Sequence, residues 1–327
     1  MDRLRLGVIG AGRMGKSHCR VYANLRHAEL IGVHDQSLHS GGSVAEANQV
    51  QFFESLDDLL DKVEAVSIAT PTPTHFDLAM HCIARGKHVL IEKPITQTLE
   101  QAQTLVQAAA DTNLVVQVGH IERFNPAYRE LKHVVDGSTI LAVDLRRLSP
   151  FRGSNTDVDV VLDLMIHDID LALDLAGALP ISIKASGITA HNGPIDYAAA
   201  QLQFENGLFL TMTASRITEQ KVRVAEATAL DAYITADLLN KSVSIYRSTI
   251  GERMTNSSRG EKYRQENFVE RIHVPTSEPL HLELQDFVAC VMNEQGPQVT
   301  AQHGLDALRL AEDIRNAILP NMIRRDL

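Results

Sequence analysis

With 327 residues, the chain exceeds what one hydrophobic core ordinarily serves and suits two domains. Its hydrophobic (44%) and charged (22%) fractions are those of a soluble globular protein, and no apolar run approaches the ~20 residues of a membrane span. A formal net charge of −10 with no compensating block of lysine or arginine argues against a nucleic-acid partner, which would need a basic footprint. The opening "MDRLRLGVIG" enters a strand without a signal-peptide layout, so a cytoplasmic location is expected.

The first third alternates short β-branched runs with helical patterns. "RLGVIG" (5–10), "AELIGVHD" (28–35), "AVSIAT" (65–70), "HVLIEK" (88–93) and "LVVQVGH" (114–120) read as strands, nearly continuous in apolar residues as strands covered on both faces should be. Helices are expected near 13–25, 43–48, 55–62, 75–85 and 98–111. This rhythm predicts an α/β domain over 1–122, an open, doubly wound parallel sheet of the Rossmann type. Beyond it the strands lengthen and alternate. In "AAAQLQFENGLFLTMTASR", Leu202 and Phe204 point one way while Gln201, Gln203 and Glu205 point the other, and Asn206-Gly207 supplies a hairpin turn. The strand pattern continues over 223–247, and helices bracket it near 160–176, 280–293 and 302–319. Residues 123–327 are therefore expected to form an α+β domain on a large, mainly antiparallel open sheet.

The first strand leads into "GVIGAGRMGKSH". Gly10, Gly12 and Gly15 have G-x-G-x-x-G spacing, between a strand and a helix, the context in which the pattern marks a dinucleotide site. Gly10 permits the tight turn, Gly12 lets the backbone approach a pyrophosphate, and Gly15 lets helix and strand pack closely. Arg13 and Met14 lie inside the turn. Asp35 closes the next strand, where a carboxylate takes the ribose hydroxyls. Gln36 and Ser37 follow it with no arginine for a 2′-phosphate, which favours NAD over NADP. Thr70, Pro71 and His75 leave the strand 65–70 at the edge where ligands sit. His75 is open between lining the cofactor and filling the first turn of a helix.

The strand 88–93 ends in Glu92-Lys93-Pro94. On the ligand-bearing edge of a dinucleotide fold, Lys93 is a candidate for the chemistry, with Glu92 and Lys93 also near the cofactor. The alternative is a solvated lysine with Glu92 as its surface partner. In "VVLDLMIHDIDLALDLAG" (160–177), Asp163, His167, Asp170 and Asp174 share one stripe at 100° per residue, and apolar residues cover the other faces. Asp168 is the lone charge off the stripe. Buried charge needs a reason, and three are open: a catalytic histidine held by Asp163 or Asp170, a metal site, or a structural polar network. No fourth metal ligand suggests itself, and no metal is assigned. Cys19, Cys82 and Cys290 read as small buried residues rather than a disulfide framework.

A glycine turn, a strand ending in Glu-Lys-Pro and a later helix with D-x-x-x-H-x-x-D together resemble the glucose–fructose oxidoreductase/inositol dehydrogenase/MocA family over the whole chain. The resemblance implies an NAD(P)-dependent oxidoreductase acting on a sugar or cyclitol hydroxyl, with Lys93, Asp163 and His167 around the reacting carbon. It also implies a homodimer or homotetramer formed through the second domain's sheet. "GHIERFNPA", "RLSPF" and "TDVDVVLDLMIHDIDL" are similar to a subgroup that oxidises the 3-hydroxyl of UDP-N-acetylglucosamine. Met165 and Ile166 depart from the small residues that many members carry between the Asp and the His. For a nucleotide sugar's diphosphate, Arg123, Arg147 and Arg152 are candidates, and Asp170 is a further substrate-side residue. His167 is expected as general base because its unperturbed pKa lies near neutrality, with Lys93 on the substrate oxygen, although the two roles can be exchanged. A dehydrogenase of inositol or a free sugar, and a non-catalytic NAD-binding sensor, remain alternatives.

Overall fold

A computed structural model describes residues 3–151, 158–190, 193–248, 255–257, 260–262, 267–293, 295–319 and 323–324. The chain divides into two compact units, Met1–Phe124 with Ser277–Leu310, and Asn125–Thr276 with Ala311–Leu327.

In the first unit, β1 (Leu4–Ile9), β2 (Ala28–His34), β3 (Gln51–Phe53), β4 (Ala65–Ile68), β5 (His88–Glu92) and β6 (Val116–Gly119) form one parallel sheet ordered 3-2-1-4-5-6. Between them run α1 (Arg13–Tyr22), α2 (Leu38–Asn48), α3 (Leu56–Leu60), α4 (His75–Ala84) and α5 (Leu99–Ala110). β4 and β5 are buried along their whole length apart from His88, as strands with helices on both faces must be. Ile9, Ile68, Ile91 and Val118 pair in one row across four strands. The glycine turn, the Thr70 loop and Lys93 therefore leave the sheet at one edge, beside the switch in strand order between β1 and β4. α2 starts at Leu38 rather than near 43, because the Ser37 hydroxyl accepts the Ser40 amide at 3.2 Å and caps it there. α5 starts in a capping box between Thr98 and Gln101. The Lys93–Pro94 peptide is cis.

The chain leaves the first unit after Phe124 and enters it again at Ser277. α8 (Pro279–Met292) returns to the first unit, where Leu280, Leu284, Phe287 and Val288 join Leu6, Val8, Cys19 and Tyr22 in one core. Their spacing of four, seven and eight residues makes one helical stripe, and nothing in that stripe names the core it will enter.

In the second unit, α6 (Pro126–Val135) follows an Asn125 cap, with proline in its first turn. The strands β7 (Ile140–Leu148), β8 (Ser182–Thr189), β9 (Tyr197–Gln203), β10 (Phe209–Ser215), β11 (Val222–Ala229), β12 (Tyr233–Asp237) and β13 (Ser242–Ser248) belong to a larger sheet. β14 (Thr255–Ser257) and β15 (Gly260–Lys262) pair separately, while β16 (Asn267–Ile272) and β17 (Ile323–Arg324) complete the larger sheet as its edges. Its order is β16-β13-β12-β11-β7-β10-β9-β8-β17, antiparallel except where β7 meets β10 and β8 meets β17. α6 packs on β11 to β13, and α7 (Ile166–Ala176) packs on β7. Gln203 pairs with Phe209 around the expected hairpin, but only Gly207 takes a positive φ (86°), because the Phe204 carbonyl first accepts the Gly207 amide in a tight turn. Among the described residues, no helix is long and apolar enough to cross a membrane.

Candidate active site

The glycine turn has a distinct physical demand at each position. Gly10 has φ +101°, and a Cβ there would lie 2.6 Å from the Ala69 carbonyl oxygen. A Cβ at Gly15 would lie 1.8 Å from the Gly10 carbonyl oxygen, so helix and turn touch backbone to backbone. Gly12, by contrast, is exposed and a Cβ there would meet nothing within 4 Å. It caps α1 with no side chain on the first amides, which leaves those donors and the positive helix end for an anion. Arg13 is exposed beside it, and Met14 is half-buried against the core.

Asp35 accepts the Ala11 amide at 2.6 Å on one carboxylate oxygen and the Ser37 amide at 2.7 Å on the other. Each oxygen keeps a second lone pair for a diol, and the Ala11 bond ties Asp35 to the glycine turn. An open glycine at a helix start and a carboxylate anchored to that same turn fit NAD. When bound, NAD supplies the carbon that accepts hydride.

Thr70, Pro71, His75, Glu92 and Lys93 come together at the ends of β4 and β5. The Thr74 hydroxyl donates to Thr70 Oγ1 at 2.7 Å, and Pro71 is exposed. His75 is not an open side chain: it is 1% exposed, with Nδ1 2.8 Å from the Pro94 carbonyl and Nε2 2.9 Å from the Thr70 carbonyl. Glu92 is not a surface partner. It is buried, with Oε1 2.9 Å from Nε2 of fully buried His18 on α1. Burial pushes the Glu92 carboxyl up, but the His18 hydrogen bond and the charges of His18, Lys93 and His75 outweigh it and hold the group below the ordinary carboxylate range. Lys93 is half-buried at the strand end.

In the second unit the expected stripe divides. Val161–Met165 is a π-helical turn, with the Ile166 amide donating to the Val161 carbonyl, and α7 continues from Ile166 as an α-helix. The wider turn shifts the phase of Asp163 from that drawn at 100° per residue, and such turns recur at functional sites. Asp159 starts this segment: its Oδ1 accepts the Val161 and Leu162 amides at 3.0 Å, and its Oδ2 lies 2.6 Å from Nε of Arg315 on α9 (Ala301–Ile318). Asp163 and His167 are half-buried, and Asp170 is fully buried. Asp174 belongs to a structural network instead, bonded to the Tyr128 hydroxyl at 2.5 Å and Lys132 Nζ at 2.7 Å.

The arginines also part company. Arg147, 1% exposed, forks onto Asp168 with bonds of 2.8 to 3.1 Å, so it is a core ion pair and not a diphosphate ligand. Val143, Leu145 and Arg147 share strand parity, and Asp168 stood off the helix stripe. Two lone charges aimed into one core were the available signal, since each needs the other. Arg123 is buried in the 3₁₀ turn Ile121–Phe124 of the first unit. Arg152 lies outside the described residues. Among those residues, no group of three or more His, Cys, Asp or Glu is placed to hold a metal.

Comparison with known proteins bears on both units. Residues 4–120 match the oxidoreductase family with an NAD-binding Rossmann fold, and residues 146–229 match the GFO/IDH/MocA C-terminal domain. The UDP-N-acetylglucosamine 3-dehydrogenase of Acidithiobacillus ferrooxidans is 38% identical over 251 residues, 77% of this chain and 79% of that one. The scyllo-inositol 2-dehydrogenase (NAD(+)) of Bacillus subtilis is 28% identical over 320 residues, 91% of this chain and 89% of that one. A solved structure of the Acidithiobacillus ferrooxidans enzyme superposes with a TM-score of 0.88 at 33% identity, covering 97% of this chain and 98% of that one. The glycine turn, the anchored Asp35, the 3-2-1-4-5-6 sheet and these likenesses lead to one conclusion: the chain belongs to the GFO/IDH/MocA oxidoreductase family and carries its NAD-binding Rossmann domain.

Proposed function

We propose that the protein oxidises a secondary hydroxyl of a sugar by hydride transfer to NAD, and that this hydroxyl is the 3-hydroxyl of UDP-N-acetylglucosamine or a related nucleotide sugar. The near full-length likeness to the Acidithiobacillus ferrooxidans enzyme, above that to the scyllo-inositol enzyme, carries the substrate half of this reading. Oxidation of a secondary alcohol requires that the hydroxyl proton leave as hydride departs. His167 takes that proton on its imidazole, worth about 10²–10⁴-fold in rate. Asp163 or Asp170, on the same helical segment, orients the ring. Lys93 donates from Nζ to the substrate oxygen and stabilises its developing negative charge. Arg152 and Arg123 are assigned to the diphosphate.

The protein acts in the cytoplasm as a homodimer or homotetramer formed through the second unit's sheet. The support is a row on the face opposite α6 and α7, where Phe209, Tyr233 and Tyr246 lie in one register across the sheet, each more than a third exposed.

Purified protein with NAD is offered UDP-N-acetylglucosamine, inositol and free hexoses in parallel, and nicotinamide reduction is followed with product mass. Reduction with the UDP-sugar alone, and a product two mass units lighter, is the expected result. Turnover of inositol or a hexose instead would discard the substrate and keep the oxidation.

A further inference from the structure

His75 opens α4 with its ring closed to solvent, and both ring nitrogens face peptide carbonyls: Nδ1 at 2.8 Å from Pro94 and Nε2 at 2.9 Å from Thr70. Carbonyl oxygens only accept hydrogen bonds, and a neutral imidazole carries one N–H. Either neutral tautomer would aim a nitrogen lone pair at an oxygen lone pair, with the ring closed to solvent. The ring satisfies both partners only with a proton on each nitrogen, and both bonds are then charge-assisted.

The surroundings suit a cation. Glu92, two residues before Pro94, is a buried carboxylate held below the ordinary carboxylate range. Lys93 and His18 also act on that carboxylate. Sequence position adds the purpose. Thr70 ends the loop entry after β4, and Pro94 follows Lys93 after β5, so one ring bridges the exits of two adjacent strands.

We propose that His75 is a doubly protonated positioning residue whose two N–H donors tie the Thr70 carbonyl to the Pro94 carbonyl and fix the point at which Lys93 leaves the sheet. Only the task given to Lys93 rests on the proposed dehydrogenase chemistry; the protonation of His75 stands on the two carbonyls.

The test uses the full chain with ¹⁵N-labelled histidine, and correlates ring nitrogens with ring carbon-bound protons at pH 7.5. His75 is assigned through its links to the α4 backbone. Two protonated nitrogens on His75, with and without NAD, are expected, and a single neutral tautomer would overturn the proposal whatever the activity. His75→Gln supplies the second readout. It is expected to lower kcat by about 10- to 100-fold through misplacement of Lys93. Unaltered kcat in a folded His75→Gln would also overturn it. If the wild type shows the two-proton signature but oxidises none of the offered sugars, the functional reading fails and the assignment of His75 stands.

Discussion

Three glycines in one motif should fail in three different ways. A Cβ at Gly15 would sit 1.8 Å from a backbone oxygen, with no flexible side chain to move aside. Gly15→Ala should therefore cost more than the ~1–3 kcal/mol of ordinary overpacking. Gly10→Ala combines a left-handed φ of +101° with a 2.6 Å approach to Ala69, so conformational strain of about 1–3 kcal/mol adds to the overlap. Gly12 has φ −70° and ψ −166° with open space around its Cβ position. Gly12→Val should cost only the preference of a helix start for glycine, about 1 kcal/mol, yet it fills the space where a pyrophosphate approaches. The assay is thermal unfolding of each variant with and without NAD. At 100 times its Kd, NAD stabilises the wild type by about 2.7 kcal/mol, a rise of about 5–11 °C at roughly 2–4 °C per kcal/mol. Gly12→Val should keep the apo Tm within a few degrees and lose the NAD-dependent rise, whereas Gly15→Ala should lose apo stability itself. A Gly12→Val protein that keeps the full rise would refute the assignment of that turn to the cofactor.

Three further outcomes are expected. Glu92 titrates below its ordinary value of 4.5, so its anion stabilises the fold fully above that pH, and the contribution disappears as pH falls through the lower folded value. Melting curves from pH 7 downward should show an acid limb below 4.5 in the wild type and a flatter one in Glu92→Gln. Asp168→Asn leaves the Arg147 guanidinium buried without its counter-charge and should cost about 3–5 kcal/mol in urea unfolding. Arg147→Met with Asp168→Leu should cost markedly less than the sum of the single changes, and strict additivity would contradict the pairing. Asp159→Ala removes the acceptor of the Val161 and Leu162 amides and should lower stability by about 0.5–2 kcal/mol, read in the same experiment.

The positions of the candidate residues in the first unit are legible because each obeys a local rule. The glycine spacing, the acid at the end of β2 and the lysine after β5 all follow from strand-turn-helix order. Positions set by tertiary partners were not legible. His75 and Glu92 face inward because residues distant in sequence, Pro94 and His18, meet them there. The stripe on 160–176 was drawn for a uniform α-helix, and the π turn at Val161–Met165 has no marker in periodicity. Asp174 turns instead to Tyr128 and Lys132, which α6 brings to it, and Asn125-Pro126, a cap followed by a first-turn proline, is the local marker of α6. Arg147 and Asp168 carry a partial signal, one lone charge at a core-facing strand position and one off the helix stripe, but only the fold brings them together.

Isotope transfer tests the proposed chemistry most directly. UDP-N-acetylglucosamine with deuterium at C3 is incubated with the protein and NAD, the ketone is trapped with hydroxylamine, and both products are weighed. One deuterium in the reduced nicotinamide and none in the trapped sugar is the predicted result, lost in Lys93→Met and His167→Ala. Reduced nicotinamide without deuterium, or a UDP-sugar left untouched, would contradict it.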